Sequence, residues 1–263
     1  MTAEQLIATA YAQSTDIHLM AGQSNMQGRA VDGTTLSSRA NDGTIFEYRS
    51  GTTGRQTYLT NYPSGGPLTQ FGPNVGMART LNDGSHVIRY GAGGQSIAAF
   101  IPEARRLTSA PSIPAANSDH STLIVDSFNA AISDLLLRHF KKPLNVDFIW
   151  YNGAEDAKTD KFSSKHGPHI PILVQWIAEN VVSFTASSPI VVIRSPDWNA
   201  NTPDFKPFQS EVRAGQESYV TATSNATLLT SDINQSVTTT WEDSSHIDAA
   251  SQERLGIDLA AIV

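Results

Sequence analysis

The chain has 263 residues, 40% of them hydrophobic and 16% charged, no cysteine, and a formal net charge of −7. That length and apolar content suffice for one sizeable core, while the missing cysteines exclude disulfides, thiolate catalysis and cysteine-ligated metals. The carboxylate surplus comes without any basic stripe, which argues against nucleic acid as a partner, and no run of 18 apolar residues offers a membrane-spanning helix.

The amino-terminal MTAEQLIATAYAQSTD lacks the basic head and apolar core of a secretory signal. A full-length chain of this kind is expected in the cytoplasm; a domain cut from a longer secreted or virion protein would read the same. The first apolar run, IHLMA (17–21), stops at Gly22 and reads as a buried strand. Residues 30–73 then break the pattern with a Gly/Ser/Thr/Asn-rich stretch carrying Tyr48, Tyr58 and Tyr62. Such a stretch is either a surface excursion with short strands of its own or a loop facing substrate. HVIRY (86–90) is the second expected strand, followed by the glycine-rich GAGGQS (91–96).

Residues 121–140 set Leu123, Phe128, Ile132, Leu135, Leu136 and His139 near one helical face. VDFIW (146–150), PIVVIR (189–194) and ATLLT (226–230) supply three more strands. Helices are expected between them at 169–184 and 205–220, and HIDAASQERLGIDLAAIV closes the chain. Apolar strands alternating with helices predict a parallel sheet covered on both faces. No repeat and no linker divides the chain, so one α/β domain over 1–263 is expected.

In an open parallel sheet, ligands bind beyond the carboxyl ends of the strands. Those places hold Ser24 in GQSN, the GAGGQS loop, Asn152 in Tyr151-Asn152-Gly153, and WEDSSH (241–246) before the last helix. Together they supply a hydroxyl, donors for an oxyanion, a base and a carboxylate to orient it, the parts of nucleophilic acyl transfer. Each also has a plainer reading. Ser24 with Gln27 fits a capping box; Asp243 and Ser245 can cap the closing helix; GAGG can be a tight turn; Asn152-Gly153 is a common turn pair. All four would have to fall at strand ends on one edge by accident, and the conjunction favours a site. His166 and His169 are separated by Gly-Pro, which points to a loop rather than a metal pair. Glu155 and Asp156 are adjacent carboxylates that would point apart, read as loop charges beside the site.

GQSNM (22–26), GGQSI (93–97), WYNG (150–153) and DSSH (243–246) resemble, in order, the four blocks of the SGNH (GDSL-like) hydrolases. More narrowly, AGQSNMQG resembles the carbohydrate acetylesterases of the sialate O-acetylesterase type, and FQSEVRAGQ (208–216) resembles the R-x-x-Q helix common in that group. The resemblance implies a three-layer αβα sandwich with a five-stranded parallel sheet, flavodoxin-like, and a Ser24-His246-Asp243 triad. It further implies an oxyanion hole from the backbone N–H groups of Ser24 and Gly94 and the Asn152 amide. Gln23, Gln95 and Glu155 are the candidate substrate contacts. The third block departs from the acetylesterase pattern W-x-Q-G-E-x-D: Asn152 replaces glutamine and Ala154 replaces glutamate, with Glu155 one place later. The expected activity is removal of O-acetyl groups from a carbohydrate, with no cofactor and no metal. A lipid or thioester acylhydrolase is the alternative within the superfamily, and a non-catalytic glycan-binding or phage tail module the alternative outside it.

Overall fold

A computed structural model of the chain describes residues 15–27, 47–50, 56–57, 72–81, 85–107, 120–138, 144–198, 206–230 and 246–263. The strands are β1 (Thr15–Gly22), β2 (Glu47–Ser50), β3 (Gln56–Thr57), β4 (His86–Gly91), β5 (Leu144–Tyr151), β6 (Ile190–Ile193) and β7 (Ala226–Leu229). The helices are α1 (Ser24–Gln27), α2 (Pro73–Leu81), α3 (His120–Arg138), α4 (Asp160–Asn180), α5 (Gln209–Ala222) and α6 (Ala249–Ala260). One sheet runs in the order β3-β2-β4-β1-β5-β6-β7, parallel throughout except for β3 against β2.

All five expected strands are present, and they stand in the order second, first, third, fourth, fifth. This is the doubly wound arrangement, in which the ligand crevice lies where the winding reverses, between β1 and β5. β2 and β3 come from the 30–73 stretch and extend the sheet at its edge. Tyr48 falls on β2; Tyr58 and Tyr62 lie outside the described residues.

The period-two alternation of each strand sorts the core into two layers. Ile17, Leu19 and Ala21 of β1 and Val146, Phe148 and Trp150 of β5 face α3 and α4, where Phe128, Ile132, Leu173 and Ile177 meet them. Met20, Ile149 and Tyr151 face the other way, onto Met77 of α2 and Leu255 and Leu259 of α6. Helices on both faces of a parallel sheet make the three-layer αβα sandwich.

Two helices differ from expectation. α4 begins at Asp160, nine residues early, and runs through Pro168 and Pro171 to end at Asn180. His166 and His169 therefore sit on a helix and are buried, correcting the loop reading. Each proline removes an intrahelical hydrogen bond, but burial of Ile170, Leu173, Val174 and Ile177 outweighs local preference. Gly167 also lets α4 approach α5 at backbone distance: a Cβ there would stand 2.6 Å from the Gly215 Cα.

α2 was not legible from periodicity, because Gly76 weakens its pattern. That glycine has a purpose. A Cβ on Gly76 would run into the Glu253 carbonyl of α6, and one on Gly256 into the Pro73 carbonyl of α2. The two helices cross backbone to backbone through this pair. Pro73 at the first helical position was the available start signal. Among the described residues, no helix is long and apolar enough to cross a membrane.

Candidate active site

β1, β4 and β5 end level with one another: Gly22 pairs with Gly91 on one side and with Tyr151 on the other. The ladder continues one step beyond, with Ala92 N–H donating to Gly22 O (2.9 Å) and Gln23 N–H to Tyr151 O (3.2 Å). The segments carrying Ser24, Gly94 and Asn152 thus start side by side at the winding reversal. Only glycine fits at 22, since a Cβ would strike the Tyr151 carbonyl.

Ser24 is buried and is the first residue of α1. Gln23, buried in front of it, accepts the Glu155 N–H on Oε1 (3.3 Å), tying the β1 exit to the β5 exit. Met26 plugs α1 into the core beside Met20 and Met77. From β4, the buried Arg89 donates to Met26 O (3.3 Å) and to Asn74 Oδ1 (3.1 Å), fixing the far end of α1 against the start of α2.

The glycine loop carries Gly94 at φ +69, the left-handed region that favours glycine, with open space where a Cβ would stand. Asn152 is buried, and its Nδ2 donates to Gln95 O (3.2 Å). An amide nitrogen has two hydrogens, so one remains for a second acceptor. The Asn152 carbonyl is held from behind by Gln216 Nε2 of α5 (3.0 Å) and by Ser195 Oγ (3.1 Å). Gln216 also accepts the Ser195 N–H (3.0 Å), and Arg213 Nε donates to Ser195 O (2.9 Å). The R-x-x-Q signature therefore braces the loops after β5 and β6. The Gln95 side chain turns back on its own loop, donating to Gly93 O (3.3 Å).

Glu155 and Asp156 point apart, as adjacency predicts. Glu155 pairs with Lys158 at 2.6 Å, half exposed. Lys206, buried over the Trp198 ring, is pushed down to about 8 by burial; Lys158 adds to this and Glu155 opposes it. Asp156 turns inward, fully buried, and meets Ser96, Ile97 and His166. These inward contacts were not legible in the sequence, though Ser96 lay inside a recognised block.

His246 immediately precedes Ile247, whose N–H donates to Asn25 Oδ1 (3.3 Å). Gln252 Nε2 of α6 donates to Asn25 O (3.1 Å). Asn25, next to Ser24, is thus the anchor for the segment bearing His246. α6 is capped by Asp248, whose Oδ1 accepts the Ser251 N–H (2.8 Å), so the helix has no need of Asp243 or Ser245 as its cap. Asp243 itself lies outside the described residues. A cavity of about 510 Å³ lined by His18, Asp147, Asn145 and Ser188 opens at the opposite, amino edge of the sheet and shares no residue with this site. Among the described residues, no group of three or more His, Asp or Glu could hold a metal ion.

Residues 14–263 match the family described as carbohydrate esterase, sialic acid-specific acetylesterase. The chain belongs to that family. No curated protein matches it in sequence. Among solved structures, an Arabidopsis thaliana protein is similar over 95% of this chain and 97% of its own, at 14% identity and a TM-score of 0.62. NanS is similar over 95% and 97%, at 12% identity and a TM-score of 0.56. A member of the lipolytic G-D-S-L family from Veillonella parvula is similar over 94% and 98%, at 9% identity and a TM-score of 0.51. At such identities these likenesses speak for the fold, which is that of the SGNH hydrolases. Family and fold together make this sialic acid-specific acetylesterase family member an esterase of SGNH type, with a carbohydrate as its substrate class.

Proposed function

We propose that the chain is a serine esterase that removes O-acetyl groups from a carbohydrate, a sialic acid or a polysaccharide. The observation that carries this reading is the level ending of β1, β4 and β5, which sets Ser24 between the glycine loop and Asn152. Asn25 meanwhile ties the His246 segment to the same place. Ser24 Oγ attacks the ester carbonyl and His246 takes its proton; Asp243 orients the imidazole and stabilises its charged form. The carbonyl oxygen, now negative, accepts from the N–H groups of Ser24 and Gly94 and from the remaining Asn152 Nδ2 hydrogen. Collapse expels the sugar hydroxyl, which leaves with the proton from His246 and an acetylated Ser24 behind. Water, deprotonated by His246, then attacks the acyl-enzyme; the Ser24 Oγ–acyl bond breaks, Ser24 takes the proton back from His246, and acetate is released. Gln23, Gln95 and Glu155 are the proposed contacts at its rim.

The test is acetate release from O-acetylated sialic acids, xylan and bacterial polysaccharides, with p-nitrophenyl acetate as a general ester. Ser24→Ala is expected to lower kcat by at least about 1,000-fold. A fully active Ser24→Ala would overturn the assignment. An acyl-chain series with its maximum at long chains would move the protein to the lipid acylhydrolases. Glycan binding without fluorophosphonate labelling of Ser24 would make it a binding module.

A further inference from the structure

The oxyanion loop is held by a group that touches no reacting atom. We propose that Asp156 is a positioning residue whose buried carboxylate sets the 91–97 loop so that Gly94 presents its N–H to the reacting carbonyl. This rests on the esterase reading above.

Asp156 follows the β5 exit, three residues after Gly153, where the Ala157 N–H donates to Gly153 O (2.9 Å) and turns the chain inward. Its Oδ1 accepts from the Ser96 hydroxyl; its Oδ2 accepts from the Ile97 N–H (3.1 Å) and from His166 Nδ1 (2.8 Å). Ser96 in turn accepts the Ala98 N–H (3.2 Å), capping the turn Ile97–Phe100. Ser, Asp and His meet here, but the aspartate lies between the other two, and both Asp156 and His166 are fully buried. No proton path from serine to imidazole exists in that order, so the cluster is a clamp and not a second triad.

The clamp grips residues 96 and 97, and Asn152 Nδ2 grips Gln95 one place earlier. Gly94, in a left-handed conformation with open space where a Cβ would stand, lies one place before the grip, and on its other side the Ala92 N–H is held by Gly22 O (2.9 Å). No hydrogen bond to its N–H occurs among the described residues; the peptide plane it shares with the Gly93 carbonyl is held by Gln95 Nε2 on that oxygen (3.3 Å), so the direction of the N–H is set by Gln95 and by what holds residues 95–97. A donor meant for charge that appears only in the transition state must be fixed beforehand. A carboxylate suits the task because it is acceptor-only and faces three donors at once.

The experiment is steady-state hydrolysis of p-nitrophenyl acetate, normalised to active sites counted by exhaustive fluorophosphonate labelling, for wild type, Asp156→Ala, Asp156→Asn and Ser96→Ala. Asp156→Ala is expected to lower kcat per labelled site at least tenfold with KM within about twofold, the mark of lost transition-state stabilisation. Asp156→Asn keeps an oxygen for Ile97 and His166 and is expected to recover most of that loss. Ser96→Ala, a smaller change, decides the matter if Asp156→Ala does not fold; a threefold or greater fall in kcat is expected. Wild-type kcat per labelled site in the folded Ala variants, with only the melting temperature lowered, overturns the proposal and leaves the esterase intact. A wild type that neither turns over nor labels at Ser24 overturns the esterase reading, and the proposal falls with it.

Discussion

On the proposed mechanism Asn152 has two jobs, and its side chain divides them between two hydrogens. One Nδ2 hydrogen goes to Gln95 O, and the other is the one proposed to reach the oxyanion. Asn152→Ala removes both, so it takes away a donor and also loosens the loop that carries Gly94. Loss of one such donor costs about a hundredfold in rate, and the coupled loosening adds to it. We therefore expect kcat for p-nitrophenyl acetate to fall at least about a hundredfold with KM nearly unchanged. A fall shared equally by a raised KM would show that Asn152 binds ground state and transition state alike. At this scale the sequence was legible where chemistry demands a particular residue type. Ser24 and Asn152 could be picked out because they stand just beyond strands, and His246 because it stands before the last helix; their catalytic roles belong to the proposal. Asp156 fills the last place of the W-x-Q-G-E-x-D pattern, but its inward turn could not be read, since a carboxylate after a strand looks the same whether it points outward like Glu155 or inward to meet Ser96 and His166.

Among the elements, β1, β4, β5, β6 and β7 were legible because each is a short apolar run, and a buried parallel strand has few other ways to be written; β2 and β3, EYRS and QT, carry no such run. Helices fared less well where packing overrules propensity. α4 passes through two prolines, and α2 and α6 meet through glycines that a propensity reading counts against them. The crossing is testable. Gly256→Ala places a methyl against the Pro73 carbonyl, where backbone and not a yielding side chain must move. Although alanine favours a helix by about 1 kcal/mol over glycine, overpacking of this kind costs about 1–3 kcal/mol, and more where backbone is struck. We expect a net loss of stability, read as a lower urea midpoint with an unchanged m-value. A midpoint equal to or above wild type would mean that the two helices can part without penalty.

Across the molecule, pH acts on stability through a buried histidine that the proposed mechanism does not use. His169 is buried on α4 and accepts the Leu107 N–H on Nε2 (3.3 Å), which requires that nitrogen to be unprotonated. Burial, the largest cause, lowers its pKa from 6.5 to about 4, against the opposing pull of Asp156. The folded pKa lies below the unfolded one, so between these values the unfolded chain binds the proton more readily. Stability from this group is complete above pH 6.5 and is lost as pH falls towards 4. Urea midpoints from pH 7 to 4 should therefore decline more steeply in wild type than in His169→Gln, whose side-chain oxygen can still accept from Leu107. Parallel declines would assign the acid sensitivity to other groups.

The Asn25 anchor has a further consequence for how the molecule fails. On the proposed mechanism the base arrives with α6, which is held by the glycine crossing, by the Leu255 and Leu259 contacts and by the hydrogen bonds to Asn25. Peripheral elements open locally at lower free energy than the central sheet. Heating should then uncouple base from nucleophile while β1, β4 and β5 are still intact. Turnover would vanish several degrees before the circular dichroism signal changes, and would return on cooling: a reversible fuse placed ahead of global unfolding.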